Sequence, residues 1–271
     1  MQKSQKLNFR KEILSSVEKT ILSLFYDSSL RPKKTTRHEM AILVKLEKEY
    51  PPWKVKTALR NLEKKNILNS IKQKIPNVGT VKFYFLKDIG EDLSYDIKKR
   101  INVAIKWIEK YSDNKKTTMV GQHLHDVVKA EIRAHGFKII EEKTNEFNGK
   151  KWINPKQTLD IIAQDKTRNL TVGIEVKNTL YLIPKSIISK KIEMCEYLDI
   201  VPIFACRWLE PHRRIIEKHN GFLWQFNNQL YPLGQEKLVS ILEKKFKFPV
   251  IISSQIGDQA IQEFDAWLKN F

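Results

Sequence analysis

Residues 154–178 read NPKQTLDIIAQDKTRNLTVGIEVKN, and this stretch decides the fold of the second half of the chain. Two short apolar runs flank a polar turn, which predicts a β-hairpin. Strand side chains alternate, so Val172, Ile174 and Val176 share one face while Gly173, Glu175 and Lys177 share the other. Asp160 stands between Leu159 and Ile161 in the first run. Three charged residues therefore occupy positions where a half-buried strand prefers none. If the two runs pair, a carboxylate from each meets at one sheet edge beside an ammonium. Two carboxylates and a lysine suit a divalent cation and a water, which points to phosphodiester hydrolysis. The plainer alternative is a cluster of salt bridges at a sheet edge.

The neighbouring sequence sets this hairpin in an α/β core. Residues 118–136 predict a helix with Val120, Leu124, Val127, Val128 and Ile132 on one stripe and Gly136 as its C-cap. Residues 137–144 predict a strand before the hairpin. After it come a helix at 184–198, an apolar strand at 200–207, a helix at 211–220 and a strand at 222–231. Helices near 234–246 and 255–270 follow. The order α-β-β-β-α-β-α-β-α-α predicts a mixed sheet flanked by helices.

The whole chain has 271 residues and a net charge of +18, with 49 Lys and Arg against 31 Asp and Glu. Residues 1–112 hold about +13 of that surplus by count. Such a balance suits a polyanionic partner, nucleic acid first, unless it reflects a lysine-rich proteome. Two cysteines exclude a disulfide framework and a cysteine-rich zinc site, and fit a reducing compartment. No apolar run approaches a membrane span, and the N-terminal MQKSQKLNFRKE lacks the apolar stretch of a signal peptide. A cytoplasmic protein without membrane contact is expected.

The basic first third predicts three helices and a hairpin. Residues 12–26 carry a stripe of Ile13, Leu14, Val17, Ile21, Leu24 and Phe25, and residues 38–50 a second helix. Pro51-Pro52 ends that helix and opens a third, WKVKTALRNLEKKNIL. Its apolar side is Val55, Ala58, Leu59 and Leu62, and its other faces carry Lys54, Lys56, Thr57, Arg60, Asn61 and Lys64. Strands around 70–75 and 81–85 turn at PNVG and carry Lys72, Lys74 and Lys82. This arrangement resembles an α+β winged helix-turn-helix domain at 1–90. The resemblance implies that the third helix enters the major groove of DNA, with the hairpin lysines near phosphates. A solvated basic face on a protein-binding winged helix is the competing reading. Residues 91–116 read as a helical connector.

The second half, 117–271, resembles the PD-(D/E)xK, or restriction-endonuclease-like, nuclease superfamily. It is most similar to the archaeal Holliday-junction resolvase and Mrr-type branches, over residues 117–210. The resemblance is carried by Asp160, by Glu175-Val176-Lys177 on the next strand, and by RAHGF at 133–137 leading into the sheet. Leu159 replaces the usual proline before the Asp. His125, beside Asp126, stands where these branches often place a helix glutamate.

The resemblance implies a DNA endonuclease that leaves 5′-phosphate and 3′-hydroxyl ends. Asp160, Glu175 and the Val176 carbonyl would hold Mg²⁺, with Mn²⁺ as a substitute. Lys177 would orient or activate the water and offset the scissile phosphate, and His125 would assist. Double-strand cleavage would favour a homodimer. Other Glu-x-Lys copies at 63–65, 141–143 and 243–245 lack an Asp on a preceding strand. The competing readings are a DNA-binding regulator or structural factor with an idle nuclease-like core, and an RNA-processing or RNA-binding protein. His123 and His125, two apart on a helix, do not share a face for zinc.

Overall fold

A computed structural model of the chain describes residues 14–33, 35–87 and 94–271, in two compact units that divide between Lys110 and Tyr111. The N-terminal stretch, the first two residues of the expected 12–26 helix, Lys34 and the start of the expected connector helix lie outside the described residues. No helix among the described residues is long and apolar enough to cross a membrane.

In the first unit, helix α1 (Ser16–Ser23) starts at a capping box. Ser15 N–H donates to Glu18 Oε2 at 2.6 Å, and Glu18 N–H donates to Ser15 Oγ at 3.3 Å. Burial raises the Glu18 pKa, but hydrogen bonds from Ser15 and Lys65 outweigh it and hold it below the usual 4.5. Strand β1 (Arg37–His38) leads into α2 (Glu39–Leu46), and α3 (Pro52–Lys64) opens with proline in its first turn. α2 ends four residues short of the sequence expectation. Tyr50 precedes Pro51, and a residue before proline is disfavoured in the α region.

Val55, Ala58, Leu59 and Leu62 of α3 pack with Ile21, Leu22, Phe25, Ile42 and Leu46 to form this unit's core. Strands β2 (Leu68–Ile75) and β3 (Gly79–Leu86) form the hairpin, with Asn77 at φ 60° in its turn. β1 adds to the far edge of β3, giving the order β1-β3-β2. Helix α4 (Ser94–Tyr111) buries Ile97, Ile101 and Ile108.

The second unit begins with α5 (Asn114–Ala134), one turn longer at its start than the apolar stripe implied. The Asp113 side chain accepts hydrogen bonds from Lys115 and Lys116 N–H and fixes that start. Gly136 then takes φ 89° and turns the chain into the sheet. β4 (Lys138–Thr144), the small hairpin β5 (Glu146–Phe147) and β6 (Lys150–Lys151), β7 (Leu159–Asp165) and β8 (Leu170–Lys177) follow. Next come α6 (Lys185–Tyr197) and β9 (Val201–Cys206), then α7 (Arg213–Glu217) and β10 (Phe222–Gln225). The result is a mixed α/β sheet of five strands in the order β10-β9-β8-β7-β4. β10, β9 and β8 run parallel, and β7 is antiparallel to both its neighbours.

Leu124, Val128 and Ile132 of α5 pack with Ile161, Ile174 and Ile203 on one face of the sheet. Met194, Cys195 and Leu198 cover the other face over Ile162. Gly173 permits that close approach of α6: a Cβ there would lie 2.8 Å from Leu159 and Ile200 Cδ1 and 2.9 Å from Cys195 Sγ.

The expected strand at 222–231 is two strands. β10 ends at Gln225, Asn227-Asn228 turn the chain, and β11 (Gln229–Tyr231) pairs in parallel with β12 (Val250–Ile252), away from the main sheet. The run looked continuous because Phe226, Leu230 and Tyr231 are all buried. Between β11 and β12 lie α8 (Glu236–Ile241) and a π-helical turn over Leu242–Phe246. α9 (Asp258–Leu268) closes the core with Phe264 stacked on Trp224, ring centroids 4.4 Å apart.

Candidate functional site

The site lies where β7 and β8 part. Their main-chain register runs from Asp165↔Leu170 back to Ile161↔Ile174. Beyond that pair the alternation of β7 breaks. Leu159 and Ile161 are two residues apart, yet Leu159 packs with Met194 and Cys195 and Ile161 packs on the opposite face. The break falls on Asp160. Its carboxylate takes the role of a ladder carbonyl: Val176 N–H donates to Asp160 Oδ2 at 2.7 Å. In an extended strand a residue's N–H and C=O project to the same edge. The Val176 carbonyl therefore points to the edge where Asp160 sits, past the last ladder pair.

Glu175 and Lys177, two apart on β8, project from one face. Lys177 Nζ lies 2.7 Å from Glu175 Oε1 and 3.8 Å from Asp160 Oδ2. The three charged residues of the hairpin are thus gathered on one ammonium. Glu175 is only 3% exposed, whereas Lys177 remains 40% exposed at the mouth of the site. Burial opposes the charge on Lys177. Attraction to Glu175 and then to Asp160 outweighs it, and holds the lysine above its usual pKa of 10.5. Lys177 is therefore a fixed cation at neutral pH.

A fourth member comes from α6. Lys191 Nζ lies 2.7 Å from Glu175 Oε2, and it also donates to the Thr158 carbonyl just before β7. The Glu175 contact is an ion pair without the alignment of a hydrogen bond. Lys191 is 14% exposed. Lys191 lies outside the strand motif that carries the other three. A signal was present. Ile188, Ile192 and Cys195 form the buried stripe of α6, and position 191 falls inside that stripe. A lysine there must find an anion.

α5 presents His125 and not Asp126. His125 is buried, its Nε2 3.4 Å from the Asp160 carbonyl oxygen and 3.9 Å from Glu142 Oε2. Its Nδ1 is buried without a hydrogen-bond partner. Asp126 is exposed and accepts a hydrogen bond from Gln122 Nε2 at 2.9 Å. Lys129, one turn beyond His125, pairs with Glu142 at 2.7 Å. That hydrogen bond holds the Glu142 carboxyl below its usual pKa. Asn178 ends β8 and ties it down, donating to the Val120 and Leu230 carbonyls and accepting from Leu230 N–H.

A hard divalent cation fits these donors. Asp160, Glu175 and the Val176 carbonyl offer oxygen only, and the two carboxylates already converge on a positive charge, the Lys177 ammonium. No group of three or more His, Cys, Asp and Glu side chains placed to share an ion occurs among the described residues.

The other Glu-x-Lys copy in the first unit is spent on structure: Glu63 accepts from Ser70 and Lys82, and Lys65 pairs with Glu18. This also places Lys82, which is paired with Glu63 at 3.1 Å and lies over the Tyr84 ring. Lys72 and Lys74 are exposed on the hairpin. On α3, Lys54, Lys56, Thr57, Arg60, Asn61 and Lys64 are all exposed, opposite the buried stripe. Trp53 adds an exposed aromatic at the start of that face, with Lys54 Nζ 5.6 Å from its ring centroid.

No family model, curated protein or solved structure matches the chain.

Proposed function

We propose that the second unit is a metal-dependent DNA endonuclease of the restriction-endonuclease-like fold, and that the first is a winged helix that grips DNA. The observation that carries the reading is the meeting of Asp160 and Glu175 on one cation at the parted end of β7 and β8. Supporting it is the element order α5-β4-β7-β8-α6-β9, leaving aside the small β5–β6 hairpin. Its antiparallel meander and helical crossover to a parallel strand make a mixed sheet flanked by helices, the class the element order predicts.

Asp160, Glu175 and the Val176 carbonyl would hold Mg²⁺ or Mn²⁺. A bound cation supplies a water of lowered pKa and offsets negative charge on the phosphate. The chain's own residues do the rest. Lys177 would donate hydrogen bonds and counter-charge to the scissile phosphate and orient the attacking water. The Val176 N–H locks the Asp160 rotamer. His125 buttresses the main chain of Asp160 from α5. Cleavage would leave 5′-phosphate and 3′-hydroxyl ends, and two copies would cut both strands. In the first unit, the exposed face of α3 suits the major groove, and Lys72 and Lys74 suit phosphates. Lys82 contributes less, because Glu63 neutralises it.

A DNA-binding factor with an idle core is the second reading. It is favoured by the matching of the site's two carboxylates with two ammoniums. A cleavage panel separates the two readings: linear, nicked, branched and single-stranded DNA and duplex RNA, each with Mg²⁺ and with chelator. Mg²⁺-dependent scission of any DNA substrate supports the endonuclease. Binding without cutting supports the idle core, and cutting of RNA alone overturns the DNA assignment.

A further inference from the structure

Lys191 is a helix residue that no strand motif requires, and it sits on the site's most buried carboxylate. Its ammonium lies 2.7 Å from Glu175 Oε2, on the side of Glu175 away from the oxygen that Lys177 holds. The second contact, to the Thr158 carbonyl, pins it where β7 begins. Each lysine has two partners, but Lys177 is 40% exposed at the mouth of the site, within reach of a substrate, whereas Lys191 is 14% exposed. The two lysines thus differ in their access to solvent and substrate.

Charge follows from that difference. Asp160 and Glu175 bring two negative charges and Lys177 and Lys191 two positive ones, so the cluster is neutral before any ion arrives. A divalent cation entering a neutral cluster gains little net attraction. A phosphodiester brings a negative charge, offers oxygen ligands and gives the exposed Lys177 a new partner. Lys191 has no such exit.

We propose that Lys191 is a positioning and tuning residue: a permanent counter-charge on Glu175 that keeps the metal site weak until the DNA phosphate is in place. This rests on the endonuclease reading above and adds that metal and DNA load cooperatively. With Oε2 held by Lys191, Glu175 would keep its rotamer while its other oxygen serves a cation.

The test is Mn²⁺ binding, read by electron paramagnetic resonance on the full chain, with and without a duplex carrying non-hydrolysable phosphorothioate linkages. Wild type is expected to bind Mn²⁺ at least tenfold more tightly with the duplex. A unit charge a few ångströms from a divalent ion is worth about tenfold or more even at water's dielectric constant. Lys191→Met should therefore tighten binding to the DNA-free protein by about that factor and shrink the DNA effect, and Lys191→Arg should restore the wild-type pattern. A merely structural lysine would give the opposite sign, because a disordered Glu175 binds metal less well.

Unchanged or weaker Mn²⁺ binding by Lys191→Met overturns the proposal while leaving a cleaving wild type intact. If Lys191→Met does not fold, equal Mn²⁺ affinity of wild type with and without DNA overturns it. No Mn²⁺ binding by wild type under either condition removes the endonuclease reading itself.

Discussion

Changing Glu175 to Gln tests the physical state of the cluster at constant shape. The carboxylate is 3% exposed and meets two ammoniums at 2.7 Å. Removing one partner from a buried ion pair costs about 3–5 kcal/mol, because the remaining charge is left uncompensated. The lower end applies here. Lys177 is 40% exposed and turns to Asp160 and water, so the penalty falls mainly on Lys191. We expect Glu175→Gln to destabilise the second unit by about 3 kcal/mol, or a fall in Tm of about 6–12 °C for a unit of this size.

Urea denaturation, followed by tryptophan fluorescence and checked by calorimetry for separate transitions, measures the loss. Lys191→Met in the Glu175→Gln background removes the stranded ammonium as well. The double variant should be more stable than the sum of the single losses implies, by about 1 kcal/mol or more. A Glu175→Gln loss below about 0.5 kcal/mol, or strict additivity of the pair, would refute the buried double ion pair.

Two further outcomes are expected. Burial pushes the His38 pKa down from 6.5 to about 4, so the folded first unit holds this histidine uncharged. The resulting stability is present above pH 6.5 and is lost as pH falls from 6.5 toward 4, by about 3 kcal/mol. His38→Phe should flatten the pH dependence of the urea midpoint over that window, and an unchanged slope would show that His38 does not titrate there. Replacing Lys54, Arg60 and Lys64 by Gln should reduce the magnitude of the slope of log K against log salt for duplex DNA by about 3 if each meets a phosphate. An unaltered slope would remove α3 from the interface.

Much of the site was legible before any coordinates, and the reasons are physical. Strict alternation after a polar turn placed Glu175 and Lys177 on one face and set them beside the strand of Asp160. The phase of α5 also decides between His125 and Asp126. His125 lies beside Leu124 and three residues before Val128 on the buried stripe, and Asp126 lies off it. The break at Asp160 was not legible. It depends on a hydrogen bond from Val176, sixteen residues away, that lets a side chain replace a ladder carbonyl. β1 escaped notice because two residues carry no period, and the split of 222–231 because both halves bury apolar side chains in one core. Lys191 was legible in principle, as a charge inside an apolar stripe, but its partner lies on another element.

The most direct test of the cutting centre is the rate of nicking of supercoiled plasmid in Mg²⁺ by wild type, Asp160→Asn and Lys177→Met, each first shown to be folded. Scission by wild type that chelator abolishes, with 5′-phosphate ends and a loss of a hundredfold or more in both variants (about 3 kcal/mol of transition-state stabilisation), is the expected result. Metal-dependent nicking that survives in both variants would contradict the assignment of Asp160, Glu175 and Lys177 as the catalytic cluster.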